Sequence, residues 1–232
     1  MNSSVLGNKA IRSYRENGEI IIEPFNEKNL NTSSYDVTLG EWYFREQPRD
    51  IVESNIYNMY SKDNVKRIWG EPQKALPYKF YKEKGMHLEN IRDDELLIFI
   101  DPNTTILAHT NEFCGGRTFI TTMMKSRSSF GRNFISCCKC SGFGDVGYIN
   151  KWTMEITNNS TKYTIPLVVG RRCAQIIFLN VGEIDDQKNN YNKTGKYQTS
   201  ATLEELQKSW TPYDMLPKMY LDFENQSTTP KN

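Results

Sequence analysis

LLIFIDPNTTILA, residues 96–108, holds two apolar runs, Leu96–Ile100 and Thr105–Ala108, parted by the turn-forming Asp101-Pro102-Asn103-Thr104. Runs this short suit strands rather than helices. The same rhythm continues downstream at Thr118–Met123, Phe134–Cys138, Trp152–Ile156, Thr164–Val169 and Ala174–Leu179. Many short strands separated by turn signals, with few helices among them, predict an all-β sandwich or barrel. Upstream, residues 8–17 place Ile11 and Tyr14 three apart among charged residues, with Gly18 following, which predicts a short amphipathic helix closed by glycine. Ile20-Ile21-Ile22 reads as a strand that stops at Pro24, and Tyr35–Gly40 alternates polar and apolar residues before its glycine. Residues 45–95 show no sustained period and carry Pro48, Pro72 and Pro77; long connections with one or two short helices are expected there. Residues 182–200 are polar and expected to be mobile, whereas Leu203, Leu206 and Trp210 have helical spacing with acids early and Lys208 late. The last dozen residues read as a tail, and no internal repeat is found.

At 232 residues the chain can bury one sizeable core. It holds no apolar run near the roughly 20 residues of a membrane span. Its first residues, Met1 to Leu6, lack the charged and apolar regions of a signal peptide. A cytoplasmic setting without a membrane partner is therefore expected. The net charge is +1, from 29 basic and 28 acidic residues. A nucleic-acid-binding domain would carry a basic excess to neutralise many phosphates, so no nucleic-acid partner is expected. A small phosphorylated ligand needs only local cations. Of the five cysteines, Cys137, Cys138 and Cys140 are clustered but lack zinc-site spacing. They are expected to be reduced, mostly buried thiols on strands.

Polar chemistry concentrates in two places. Lys125-Ser126-Arg127-Ser128-Ser129-Phe130-Gly131-Arg132 packs hydroxyls, cations and a glycine between two apolar runs. That composition suits an anionic ligand, through guanidinium forks and hydroxyl donors; it also suits an ordinary solvated loop. The second stretch runs from Gly142-Phe143-Gly144-Asp145-Val146-Gly147-Tyr148 into Trp152-Thr153-Met154-Glu155-Ile156-Thr157. On an alternating strand Glu155 faces away from Met154 and Ile156, together with Thr153 and Thr157. By its own context a carboxylate there could equally be decoration of the outer face.

Taken in order, SYDVTLG (34–40), LAHTNE (107–112), SRSSFGR (126–132), GDVGYINKWTMEITN (144–158) and GRRCAQIIF (170–178) resemble the motif series of dCTP deaminases, in the trimeric dUTPase superfamily. IIIEPFN (20–26) and YNKTGKYQ (191–198) agree with it. The resemblance covers about residues 8–200 and leaves 45–95 and the last thirty unanchored. It implies a β-dominated, distorted barrel with short helices at the N-terminus and C-terminal tail, assembled as a homotrimer with active sites between subunits. It also implies one dUTPase-like domain over residues 1–200, followed by a C-terminal helix and tail over 201–232. Glu155, in the T-x-E segment, then activates water, Arg132 holds and charges the site, and Ser128 positions the water. Arg127, Ser129 and Gln175 bind the triphosphate, Tyr191, Lys196 and Gln198 close over it, and Asp145 and Tyr148 lie beside the sugar or base. Magnesium comes with the triphosphate and no protein metal cage is implied. Zinc-dependent deaminases carry H-x-E followed by P-C-x-x-C, and with only His87 and His109 and no C-x-x-C the chain cannot supply that site. His109 reads as structural.

The activity implied is hydrolytic deamination of dCTP to dUTP and ammonia, feeding dUMP and dTTP synthesis, with dTTP a candidate inhibitor. A bifunctional reaction giving dUMP and pyrophosphate is the alternative, and a non-catalytic nucleotide-binding regulator is a second one. A pure dUTPase would carry a glycine-rich phosphate-covering motif at its C-terminus, and the last thirty residues contain no glycine. Phe130, Ser141 and the Cys137/Cys138/Cys140 cluster depart from the family pattern.

Overall fold

The computed structural model describes residues 4–48, 55–184, 191, 195–198, 202–222 and 224. Among these, two antiparallel sheets build the body. The larger has nine strands, β1 (Ile20–Glu23), β2 (Tyr35–Arg45), β3 (Gln73–Lys74), β6 (Thr105–Gly116), β7 (Ile120–Ser126), β8 (Ile135–Ser136), β9 (Phe143–Gly144), β10 (Ile149–Asn158) and β12 (Arg172–Asn180). Its order is β8-β10-β6-β2-β12-β7-β9, with β1 beside β6 and β3 beside β2. The smaller sheet is β11-β5-β4, formed by Ile165–Val168, Leu96–Ile100 and Leu76–Pro77. Register shifts interrupt the β2/β6, β10/β6 and β12/β2 ladders. Such irregularities bend strands and increase twist, and here they curl the large sheet into a half-barrel. The β-dominated architecture with a few short helices expected from the sequence is the one observed.

Every apolar run expected to be a strand is one, and the helix over 8–17 is α1 (Asn8–Glu16), followed by Gly18 at φ +82. Residues 45–95 supply the expected short helices, α2 (Lys62–Trp69) and α3 (Tyr78–Lys82). The Ser61 side chain caps α2 by accepting from the Asn64 N–H at 3.3 Å. A further short helix, α4 (Ser128–Arg132), follows β7, and α5 (Leu203–Ser209) carries the expected helical stripe near the C-terminus. No described helix is long and apolar enough to cross a membrane. Four of the five cysteines are buried and all are free thiols; Cys140 is exposed.

β2, β6 and β10 run further than the apolar pattern indicated, whereas β8 keeps only Ile135–Ser136 of its run, so Cys137, Cys138 and Cys140 lie outside a strand, contrary to expectation. β6 continues past Ala108 through His109-Thr110-Asn111-Glu112, because the buried polar groups find partners. Glu112 accepts from the Thr38 N–H at 2.9 Å and the Thr38 hydroxyl at 2.8 Å, and the Thr110 hydroxyl accepts from the Trp152 N–H at 2.8 Å. The SYDVTLG and LAHTNE segments thus wire β2, β6 and β10 together. His109 donates from Nδ1 to the Thr110 carbonyl at 2.8 Å and accepts at Nε2 from the Trp42 N–H at 3.2 Å. A Cβ at Gly40 would sit 2.0 Å from the His109 ring, so only glycine lets the ring seat there.

Burial lowers the His109 pKa to about 4. In the unfolded chain the ring titrates near its ordinary 6.5, so between these values unfolding takes up a proton and stability is lost as the pH is lowered. The difference in unfolding free energy between wild type and a His109→Gln variant should therefore shrink by about 2–3 kcal/mol from pH 7 to pH 4.5. Urea unfolding at the two pH values measures it; a difference independent of pH would contradict the neutral, doubly bonded ring.

Candidate active site

β10 alternates strictly along Trp152-Thr153-Met154-Glu155-Ile156-Thr157: Trp152, Met154 and Ile156 are buried in the core, while Thr153, Glu155 and Thr157 are half-buried on the opposite face. That face opens into a cavity of about 370 Å³. The Gly142–Gly147 turn shapes one side of it. A Cβ at Gly144 would lie 2.6 Å from the Trp152 ring, so the glycine lets the strand pass flat against the indole. Gly147 adopts φ +91, which only glycine takes without strain. This turn presents Asp145 and Tyr148 to the cavity, and Tyr148 packs edge-on against both Trp152 and Tyr191, at 5.1 and 5.0 Å. Burial pushes the Tyr148 hydroxyl up and that of Tyr191 to about 12, so both are neutral hydroxyls there.

Glu155 is the anomaly of the cavity. Its Oε2 is buried without a hydrogen-bond partner, and burial raises its pKa above the usual carboxylate range. Buried polar atoms are nearly always bonded, so an orphaned carboxylate oxygen in a cavity marks a place for a ligand or a reacting water.

Nine of the eleven expected residues fall into three groups. Glu155, Asp145, Tyr148 and Tyr191 line the one cavity. Arg127 and Gln175 instead surround the buried Asp36: Arg127 Nε lies 3.4 Å and Arg172 3.1 Å from Oδ2, and Gln175 donates to Oδ1 at 3.1 Å. Asp36 thereby gathers two guanidinium groups where the neighbouring strands β2 and β12 pair. Ser128, Ser129 and Arg132 sit on α4, exposed, and do not line the Glu155 cavity of their own chain.

The 191–198 stretch is held against β10 at its described residues. Gln198 accepts from the Ile149 N–H at 2.7 Å, and the Tyr197 carbonyl accepts from Asn150 at 2.8 Å. Lys196 forms an ion pair with Asp222. Sequence reasoning passed over Asp36, Arg172, Tyr197 and the Asp214-Met215-Pro217 wall of the cavity. Asp36 carried a signal, an acid inside an apolar alternation; the wall carried none.

A sequence model described as dCTP deaminase-like matches residues 5–181. The chain belongs to that family. A relative from Methanocaldococcus jannaschii named "dCTP deaminase, dUMP-forming" is 28% identical over 196 residues, covering 83% of this chain and 90% of that protein. One of the same name from Clostridium botulinum is 30% identical over 183 residues, covering 78% and 84%. Among solved structures, a 2'-deoxycytidine 5'-triphosphate deaminase from Agrobacterium tumefaciens superimposes with a TM-score of 0.53 at 16% identity. That match covers 78% of this chain and 49% of the Agrobacterium chain, so it speaks for the fold over about half of that protein's length. Of the departures, Phe130 lies within α4, and the cysteine cluster and Ser141 follow between α4 and β10, with Ser141 lining the cavity.

Proposed function

We propose that the protein deaminates dCTP by hydrolysis at Glu155 and carries the product on to dUMP and pyrophosphate. The observation that carries the first half is the unpartnered, buried Glu155 oxygen in the cavity. The ionised carboxylate takes a proton from water as the water oxygen adds to C4 of the base, and passes that proton to N3. The proton of the added hydroxyl then moves to the amine, the C4–N4 bond breaks, and ammonia leaves with dUTP behind. A carboxyl lifted towards neutrality by burial can act as base and acid in turn. Phosphate cleavage adds a second water and gives dUMP, the precursor that thymidylate synthesis consumes. The name "dUMP-forming", shared by the relatives above, favours this second half over release of dUTP.

Arg127, Ser128, Ser129 and Gln175 would hold the triphosphate, with magnesium arriving on its oxygens as part of the substrate. Tyr191, Lys196 and Gln198 would cover it, Asp145 and Tyr148 would lie beside the sugar or base, and Arg132 would charge the site next to Glu155. Because Ser128, Ser129 and Arg132 stand exposed and apart from their own chain's Glu155 cavity, the arrangement is completed by a neighbour in a homotrimer. The setting is a cytoplasmic nucleotide pool, and dTTP, which shares the triphosphate, is a candidate inhibitor.

Incubation with dCTP and with dUTP, each with magnesium, tests the reaction. Ammonia and pyrophosphate from dCTP in equal amounts are expected, and pyrophosphate from dUTP; ammonia alone would reduce the activity to deamination, and neither product would sink the enzyme. The pH profile gives a second test. The base must be ionised, so kcat/KM for dCTP should fall as pH drops through the raised Glu155 pKa. That acid limb is expected above the ordinary glutamate value of about 4.3. A limb at or below it would mean that the titrating group is not the buried carboxyl.

A further inference from the structure

The C-terminal segment beyond the 5–181 family match supplies one wall of the Glu155 cavity, through Asp214, Met215 and Pro217. Asp214, Met215 and Leu216 are fixed rather than loose. Met215 is 3% exposed and packs in one apolar cluster with Phe44, Val65, Leu107 and Leu216. The Asp214 carboxylate is engaged by the Thr211 N–H at 2.9 Å and by Lys218 at 3.5 Å. The wall therefore presents Met215 and Pro217 as apolar surface. Leu107, which also lines the cavity, is the cross-strand partner of Glu155 in the β10/β6 ladder. Directly paired residues share a face with Cβ atoms about 5 Å apart, so Glu155, Leu107 and Met215 form a continuous series.

Cytosine has one polar edge, carrying N4, N3 and O2, and one apolar edge at C5 and C6. The reacting C4 stands between N3 and C5. With C4 against the Glu155 carboxyl, the ring can place either N3 or C5 on the Leu107/Met215 side. Setting N3 there would bury an unpaired acceptor on apolar carbon, whereas the C5–H edge fits at no such cost. We infer that Met215, seated on Leu107, is a specificity-determining residue that faces C5 of the pyrimidine and selects between cytosine and 5-substituted cytosine nucleotides. This rests on the deaminase reading above and adds a discrimination built from residues outside the family match.

The test compares dCTP with 5-methyl-dCTP by ammonia release. Wild type should prefer dCTP by about tenfold in kcat/KM, the usual worth of one methyl group in an apolar pocket. Met215→Ala should bring the ratio close to one, and Met215→Leu should leave it near the wild-type value. Pro217→Ala, a half-buried position, should shift it in the same direction as Met215→Ala by about threefold, and serves if the core substitution fails to fold. A ratio unchanged from wild type in the folded alanine variants overturns the assignment, even with dCTP turnover intact. Failure of wild type to release ammonia from dCTP would instead strike the deaminase reading itself.

Discussion

A Glu155→Gln protein is expected to release ammonia from dCTP about 10³–10⁴-fold more slowly than wild type, while binding the nucleotide and folding as before. Glutamine keeps the volume and the half-buried position on β10 but cannot take a proton from water. The fold has little reason to suffer, because the Glu155 side chain is anchored to nothing through Oε2 and its burial disfavours the charge. The substitution thus separates chemistry from structure. Ammonia release in a coupled assay, nucleotide binding by calorimetry and thermal unfolding measure the three parts. Wild-type turnover by the variant would remove Glu155 from the mechanism. Loss of turnover together with loss of folding would make the residue structural instead.

The second large effect concerns assembly. Arg132→Ala, with Ser128 and Ser129 intact on α4, should be as inactive as Glu155→Gln within about tenfold if Arg132 is the cation of the Glu155 centre, as proposed. The two dead proteins, mixed after unfolding and refolded together, should regain activity. If each site takes Glu155 from one protomer and Arg132 from its neighbour, random mixing in a ring of three makes about a quarter of the sites intact. Recovery approaching that fraction is the expected outcome. If the mixture stays as inactive as its parents while trimers form, both residues act within one chain, and α4 would have to move to reach its own cavity. A protein that is monomeric at assay concentration would contradict the shared site outright.

The fold was legible in the sequence wherever burial alternated with short turns, as from Leu96 onward, because strand period and turn chemistry are local properties. Strand ends were not legible. β6 runs on to Gly116 through buried His109, Thr110 and Glu112, whose partners Trp42, Trp152 and Thr38 come from other strands. Hydrogen bonds between distant segments leave no periodic trace in either one. Glu155 shows the same limit at the site. Strand alternation placed it on the face of Thr153, but only the motif order around it suggested chemistry, and only the packing of Tyr148, Trp152, Asp214, Met215 and Pro217 makes a cavity there. The wall from Asp214 to Pro217 has no apolar period to read in the sequence; the order of Met215 and Leu216 comes from the Phe44, Val65 and Leu107 surface they cover. Asp36 was visible as an acid within an apolar alternation, yet its role in gathering Arg127, Arg172 and Gln175 emerges only when β2 meets β12.

On the proposed mechanism, water activated at Glu155 replaces the amine at C4 of dCTP. Turnover of dCTP in ¹⁸O-labelled water, followed by mass spectrometry of the deoxyuridine nucleotide, tests it most directly. One ¹⁸O atom in the uracil ring for each ammonia released is the result expected; dCTP recovered unchanged, or a uracil without label, would contradict it.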